Sequence, residues 1–165
     1  MKYLNYFLFS LFIFIFQSSI GSYISIAGVI PNIMLVYVII IAYLFGKSDG
    51  LIVGLIMGLL YDCFFGHYIG ANLFLYGLIA YASGLFYEYI YKDNVAIVLF
   101  LVFIGTLFYN FGFFMLNILL YGYTNFLSYV YLKVFPEIIY NIIFCIPLYI
   151  FVFSFMQRGK YKPLN

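Results

Sequence analysis

The sequence predicts an all-α integral membrane protein, a single domain over residues 1–165 built as a bundle of about six transmembrane helices. Three observations carry this. Of the residues, 68% are hydrophobic and 7% charged, whereas a soluble domain carries about 25% charged residues. The apolar residues collect into helix-length runs separated by short polar breaks. The cations fall alternately at the two ends of those runs. No polar stretch is long enough for a soluble domain.

The elements follow in order, as residues 3–20, 30–45, 51–65, 69–91, 95–121 and 136–156. The first run follows Lys2 and ends near Ser18, Ser19 and Gly21, a pattern shared with signal peptides. It is read as a retained helix, since multi-span proteins usually keep theirs. The second and third runs are short for a hydrocarbon core of about 30 Å at about 1.5 Å per residue. Short spans suit helices packed inside a bundle or a thinned bilayer. The breaks are GKSDG (Gly46 to Gly50), GHYIG (Gly66 to Gly70) and KDN (Lys92 to Asn94). Residues 124–135 read as a segment lying at the outer membrane surface. Thr124 and Asn125 are helix-capping types, and Tyr123, Tyr129 and Tyr131 suit the interfacial belt. Pro147 is expected to kink the last helix or end its first half.

Charge placement sets orientation. An even number of spans with a cytoplasmic N-terminus leaves Lys2, Lys47, Lys92, Arg158, Lys160 and Lys162 inside and only Lys133 outside. Both termini are therefore expected in the cytoplasm. The basic C-terminus (QRGKYK) is expected to meet anionic headgroups of membrane lipids or a cytoplasmic partner.

One motif stands out. Gly50, Gly54, Gly58, Gly66 and Gly70 recur at steps of four, and Asp62 takes the missing place. Glycine at this spacing lets a second helix approach closely. A carboxylate in such a helix is costly and usually faces protein. Gly50, Gly54, Gly58, Asp62, Gly66 and Gly70 are thus the candidate helix-packing or partner-contact residues. Three readings of Asp62 stay open: a structural role in the bundle, a contact to a partner helix, or an ion or proton site. With no second carboxylate at membrane depth, a proton relay has no second member.

The remaining polar residues have local explanations. Asn110 and Asn117 are seven apart and share a face, and Asn141 lies in the last run. All are read as amides bonding across helices within the bundle. Glu88 and Lys92 form a helical pair, and Asp49 sits beside Lys47 in a tight turn. Glu137 after Pro136 fits the first turn of a helix. His67 is a lone histidine in an outer loop. Cys63 and Cys145 lack metal spacing and are read as buried free thiols. No phosphate-binding loop, nucleophile elbow, metal cluster or nucleic-acid patch occurs. No catalytic residue, cofactor or metal is expected, and no nucleic-acid partner.

The order of Pro31-Asn32, a glycine turn, GLIMGLLYD (Gly54 to Asp62), Gly66/Gly70, then PEIIYN (Pro136 to Asn141) and Pro147 resembles the MreD family of rod shape-determining proteins, over essentially the whole chain. Asn32 stands where that family often has Asp. The resemblance implies a non-catalytic inner-membrane component of the bacterial wall-elongation machinery. Its partners would be MreC and, indirectly, the actin-like MreB and the RodA/class B penicillin-binding protein synthase of peptidoglycan. It also implies a fold similar to the substrate-binding subunits of energy-coupling-factor vitamin transporters. A vitamin-binding subunit is therefore the alternative function, although the first helix lacks the alanine patch such subunits use to dock their partner.

Overall fold

The computed structural model describes residues 2–20, 25, 28–65, 70–87, 94–122 and 126–156. Among them the helices are α1 (Lys2–Ile20), α2 (Ile33–Phe45), α3 (Lys47–Phe64), α4 (Ala71–Gly84), α5 (Val95–Tyr121), α6 (Phe126–Tyr129) and α7 (Phe135–Met156). A 3₁₀ turn, Leu85–Tyr87, extends α4, and a π-helical segment, Val130–Val134, joins α6 to α7.

The bundle is built around α2. Its sequence is apolar on every side, and such a helix is stable only when surrounded. Every residue from Ile33 to Leu44 is buried, and α1, α3, α4, α5 and α7 all pack on it. At about 1.5 Å per residue it is roughly 20 Å long. Its length needs no match to a bilayer, because no lipid reaches its sides.

The outside of the bundle is apolar as well. Leu4, Phe7, Leu8 and Phe12 of α1, Phe100, Phe103 and Phe111 of α5, and Ile143, Ile146 and Ile150 of α7 are exposed. So continuous an exposed apolar surface belongs in lipid. Two helical stretches, Val95–Leu116 and Leu127–Phe155, are long and apolar enough to cross a membrane. Tyr3–Ser19, Ile33–Phe45 and Ala71–Tyr87 are shorter apolar helices.

The α3–α4 hairpin is the tightest packing in the molecule. A Cβ added at Gly54 would lie 2.8 Å from the Tyr76 carbonyl oxygen, and one at Gly58 would lie 2.5 Å from the Leu73 Cα. Gly50 meets the Ala42 side chain of α2, and Gly84 of α4 meets the Lys47 backbone in return. The glycine face of α3 is thus covered by the chain's own α2 and α4.

Several expectations change. Asp49 is not in a loop turn. The break between α2 and α3 narrows to Gly46, held at φ +98°, and Asp49 is buried in the first turn of α3, accepting from Tyr6 Oη at 3.1 Å. Within the segment expected over 124–135, residues 126–134 form α6 and the π segment, which run directly into α7. The π segment has a local cause. Pro136 has no N–H for the Leu132 carbonyl, and its ring crowds that carbonyl. The chain opens the preceding turn, so the Phe135 N–H bonds the Val130 carbonyl five residues back. Glu137 stands in the first turn of α7, as its place after Pro136 suggests, but helical turns precede it. Helix α7 also continues through Pro147 to Met156. Cys145 is buried, whereas Cys63 is exposed, and both thiols are free. Gly66, His67, Glu88, Lys92, Thr124, Asn125 and the basic C-terminus lie outside the described residues.

Candidate functional site

The end of the bundle that holds the C-termini of α1 and α3 and the N-termini of α2 and α4 carries most of the buried polar groups. Asp62 is the first. Its Oδ2 accepts from the Gly70 N–H at 2.9 Å and the Leu73 N–H at 3.0 Å. Its Oδ1 accepts from the Asn72 N–H at 3.1 Å and Asn72 Nδ2 at 2.8 Å. A helix start leaves its first N–H groups unpaired and carries partial positive charge. Asp62 of α3 supplies the missing acceptor to α4. Both of its oxygens are occupied in doing so, and α4 is fixed against the glycine face.

The network continues inward from Asn72, whose Oδ1 accepts from Tyr109 Oη at 2.8 Å. Asn32 is a second hub. Its Oδ1 caps α2 by accepting from the Leu35 N–H at 3.1 Å and also accepts from Tyr76 Oη at 2.7 Å. Its own N–H donates to Asn141 Oδ1 at 2.7 Å, and Asn141 Nδ2 donates to Thr106 Oγ1 at 2.9 Å. One turn further out, Asn110 Nδ2 donates to Glu137 Oε2 at 3.1 Å and to the Thr106 carbonyl at 3.0 Å. Tyr129 Oη donates to Asn110 Oδ1 at 3.2 Å. Gln17 ties α1 to the layer, donating to the Pro31 carbonyl at 2.8 Å and accepting from the Ile33 N–H at 2.9 Å. In a bilayer such amide bonds are each worth about 0.6–2 kcal/mol.

Above this layer is an open cavity of about 430 Å³. Glu137, Asn32, Tyr61 and Tyr109 line it, Gln17 and Ser18 contribute from α1, and Leu132 and Lys133 of the π segment complete its rim. Glu137 is 4% exposed. The Lys133 Nζ lies 5.3 Å from the centroid of the Tyr129 ring. The cavity has aromatic walls, a carboxylate within and a cation at its edge. Among the described residues there is no cluster of His, Cys, Asp and Glu fit for a metal ion.

The structure therefore distributes the sequence-derived candidates. Gly50, Gly54 and Gly58 lie in the α2–α3–α4 contact, Asp62 caps α4, and Gly70 stands at the start of α4 in a left-handed conformation. Asn110 and Asn141 sit in the polar layer beside the cavity. Asn117 is on α5, but its side chain, like Gly66, lies outside what is described. Glu137, Gln17, Tyr61 and Tyr109 were not singled out for a site by the sequence. A signal existed: Thr106 and Asn110 are four apart, as are Glu137 and Asn141, so each pair shares a helix face. The antiparallel α5–α7 pairing brings these faces together.

No curated protein and no solved structure matches the chain. The similarity to vitamin-transporter subunits accordingly stays a resemblance. A family model, described as rod shape-determining protein MreD, matches residues 1–159. With that match spanning nearly the whole apolar bundle, the chain belongs to the MreD family of rod shape-determining proteins.

Proposed function

We propose that the protein is a non-catalytic component of the wall-elongation complex, held in the bacterial cytoplasmic membrane with both termini inside. It acts by binding MreC, and through MreC it supports peptidoglycan synthesis by the RodA/class B penicillin-binding protein pair in register with MreB. Family membership supports the role in cell shape. The observation that carries the binding site is the contrast between two surfaces. The glycine face of α3, the sequence's candidate for a partner helix, is filled by α2 and α4. The polar cavity lined by Tyr61 and Phe65, at the C-terminal end of α3, is open. The charge pattern puts that end outside the cell, where a single-span partner has its stem. The extracytoplasmic, membrane-proximal part of MreC is the natural occupant.

Blocking the cavity mouth tests this. Ser18 is exposed at the rim, so Ser18→Trp fills the entrance without entering the core. The variant is expected to insert normally, to capture about tenfold less MreC from solubilised membranes, and to fail to restore rod shape. Full capture and full complementation would place the MreC contact elsewhere. A second reading has one observation in its favour, since the cavity lies within the roughly 300–1,000 Å³ typical of small-ligand sites. A vitamin retained by the purified protein would favour that reading.

A further inference from the structure

We propose that Glu137 makes the cavity a receptor for one cationic side chain, a guanidinium by preference, carried by the partner segment that enters it; this rests on the function proposed above.

The carboxylate is 4% exposed yet lines an open cavity. An ionised carboxylate offers about four acceptor positions. Asn110 Nδ2 occupies one, at 3.1 Å from Oε2. Acceptor capacity therefore remains on the cavity side. A buried acid of this kind is retained at a cost, and a cation brought by a ligand offsets it. The chain's own cation, Lys133, lines the same cavity without bonding the carboxylate. Lys133 Nζ is engaged over the Tyr129 ring, 5.3 Å from its centroid, and forms no ion pair with Glu137.

The walls narrow the chemistry. Tyr61, Phe65 and Tyr109 present three aromatic rings to the same space. The Tyr109 hydroxyl is already spent on Asn72 at 2.8 Å, which leaves the ring face for contact. Aromatic faces beside a carboxylate suit a planar guanidinium, which stacks and bonds bidentately at once. An anionic ligand would meet Glu137 directly, and a purely apolar one would leave its oxygens unpaired.

The test uses full-length protein co-expressed with full-length MreC and measures captured partner. Glu137→Gln is expected to reduce capture tenfold or more, and Glu137→Arg further still. Each Arg and Lys in the membrane-proximal outer segment of MreC is then changed singly to Glu. One such change is expected to restore capture by Glu137→Arg while abolishing capture by the native chain. A misfolded variant would not be rescued in this way, so rescue separates recognition from stability. If Ser18→Trp abolishes capture while both Glu137 variants bind normally, the inference is overturned and the cavity remains the partner site. Failure of every charge change to restore Glu137→Arg overturns it equally. If Ser18→Trp and the Glu137 variants all bind normally, the inference and the cavity reading fall together.

Discussion

At the scale of residues, Gly54 and Gly58 differ from Gly77 in what a side chain would strike. At Gly54 and Gly58 the obstacle is the backbone of α4, at 2.8 Å from the Tyr76 oxygen and 2.5 Å from the Leu73 Cα. At Gly77 it is the end of the Leu55 side chain at 3.2 Å, which can turn away. Gly58→Ala and Gly54→Ala should each destabilise the protein by about 1–3 kcal/mol through overpacking, with Gly77→Ala near neutral. Thermal unfolding in detergent reads the difference. Asp62→Asn removes the charge that meets α4 and turns an NH₂ group toward its N–H donors. It should cost about 1–3 kcal/mol while leaving ion flux across vesicles unchanged. A flux change without a stability change would return Asp62 to the ion-site reading. The sequence made these residues visible because a four-residue step of small groups is a local pattern. What lies against them is a tertiary fact, because a glycine face serves an internal helix and a partner helix equally well.

At the scale of elements, local signals explain some boundaries and long-range packing explains the rest. Helix α5 begins after Asn94, which accepts from the Ala96 N–H at 3.1 Å, and ends at Gly122 with φ +81°. Both residues are boundary types that can be read directly. The last helix is different. Pro136 reads as a start, since proline favours a first turn. Yet the helix begins at Phe126 and absorbs the proline in a π-helical turn. Pro136 widens the turn, while the turns before it pack on α5, where the Phe114 and Tyr129 rings sit 5.3 Å apart and Asn110 binds Tyr129. Glu137 was hidden for the same reason. A first-turn acid and a cavity acid look alike until the preceding turns are known to be helical. Pro136→Ala supplies the missing N–H and removes the reason for the wide turn. In a background with Cys63 and Cys145 replaced, oxidative cross-linking of Phe114→Cys with Tyr129→Cys should therefore fall in Pro136→Ala. Unchanged cross-linking would mean that α5 packing alone sets the π segment.

At the scale of the whole molecule, composition made the membrane class legible and charge placement suggested an orientation. The roles of the individual helices were not legible. Helix α2 reads as a short span suited to the inside of a bundle or to a thinned bilayer, and it is the buried axis of the bundle. The glycine face reads as a packing face for a helix of the bundle or of a partner, and α2 and α4 of the chain itself fill it. The polar layer draws one to three residues each from α1, α3, α4, α5, α6 and α7, with Asn32 at the start of α2. No local window contains enough of them to announce a cavity. The described residues form a bundle with an apolar exterior, a buried core and an open polar recess at one end.

Site-specific photo-cross-linking in living cells tests that division most directly. The probe is placed at Ser18 or Leu132 on the cavity rim, or at Leu55 or Leu59 on the exposed side of α3. Adducts with MreC are predicted from Ser18 and Leu132 and not from Leu55 or Leu59. Adducts from Leu55 and Leu59, with none from the rim, would contradict the account and return the partner site to α3.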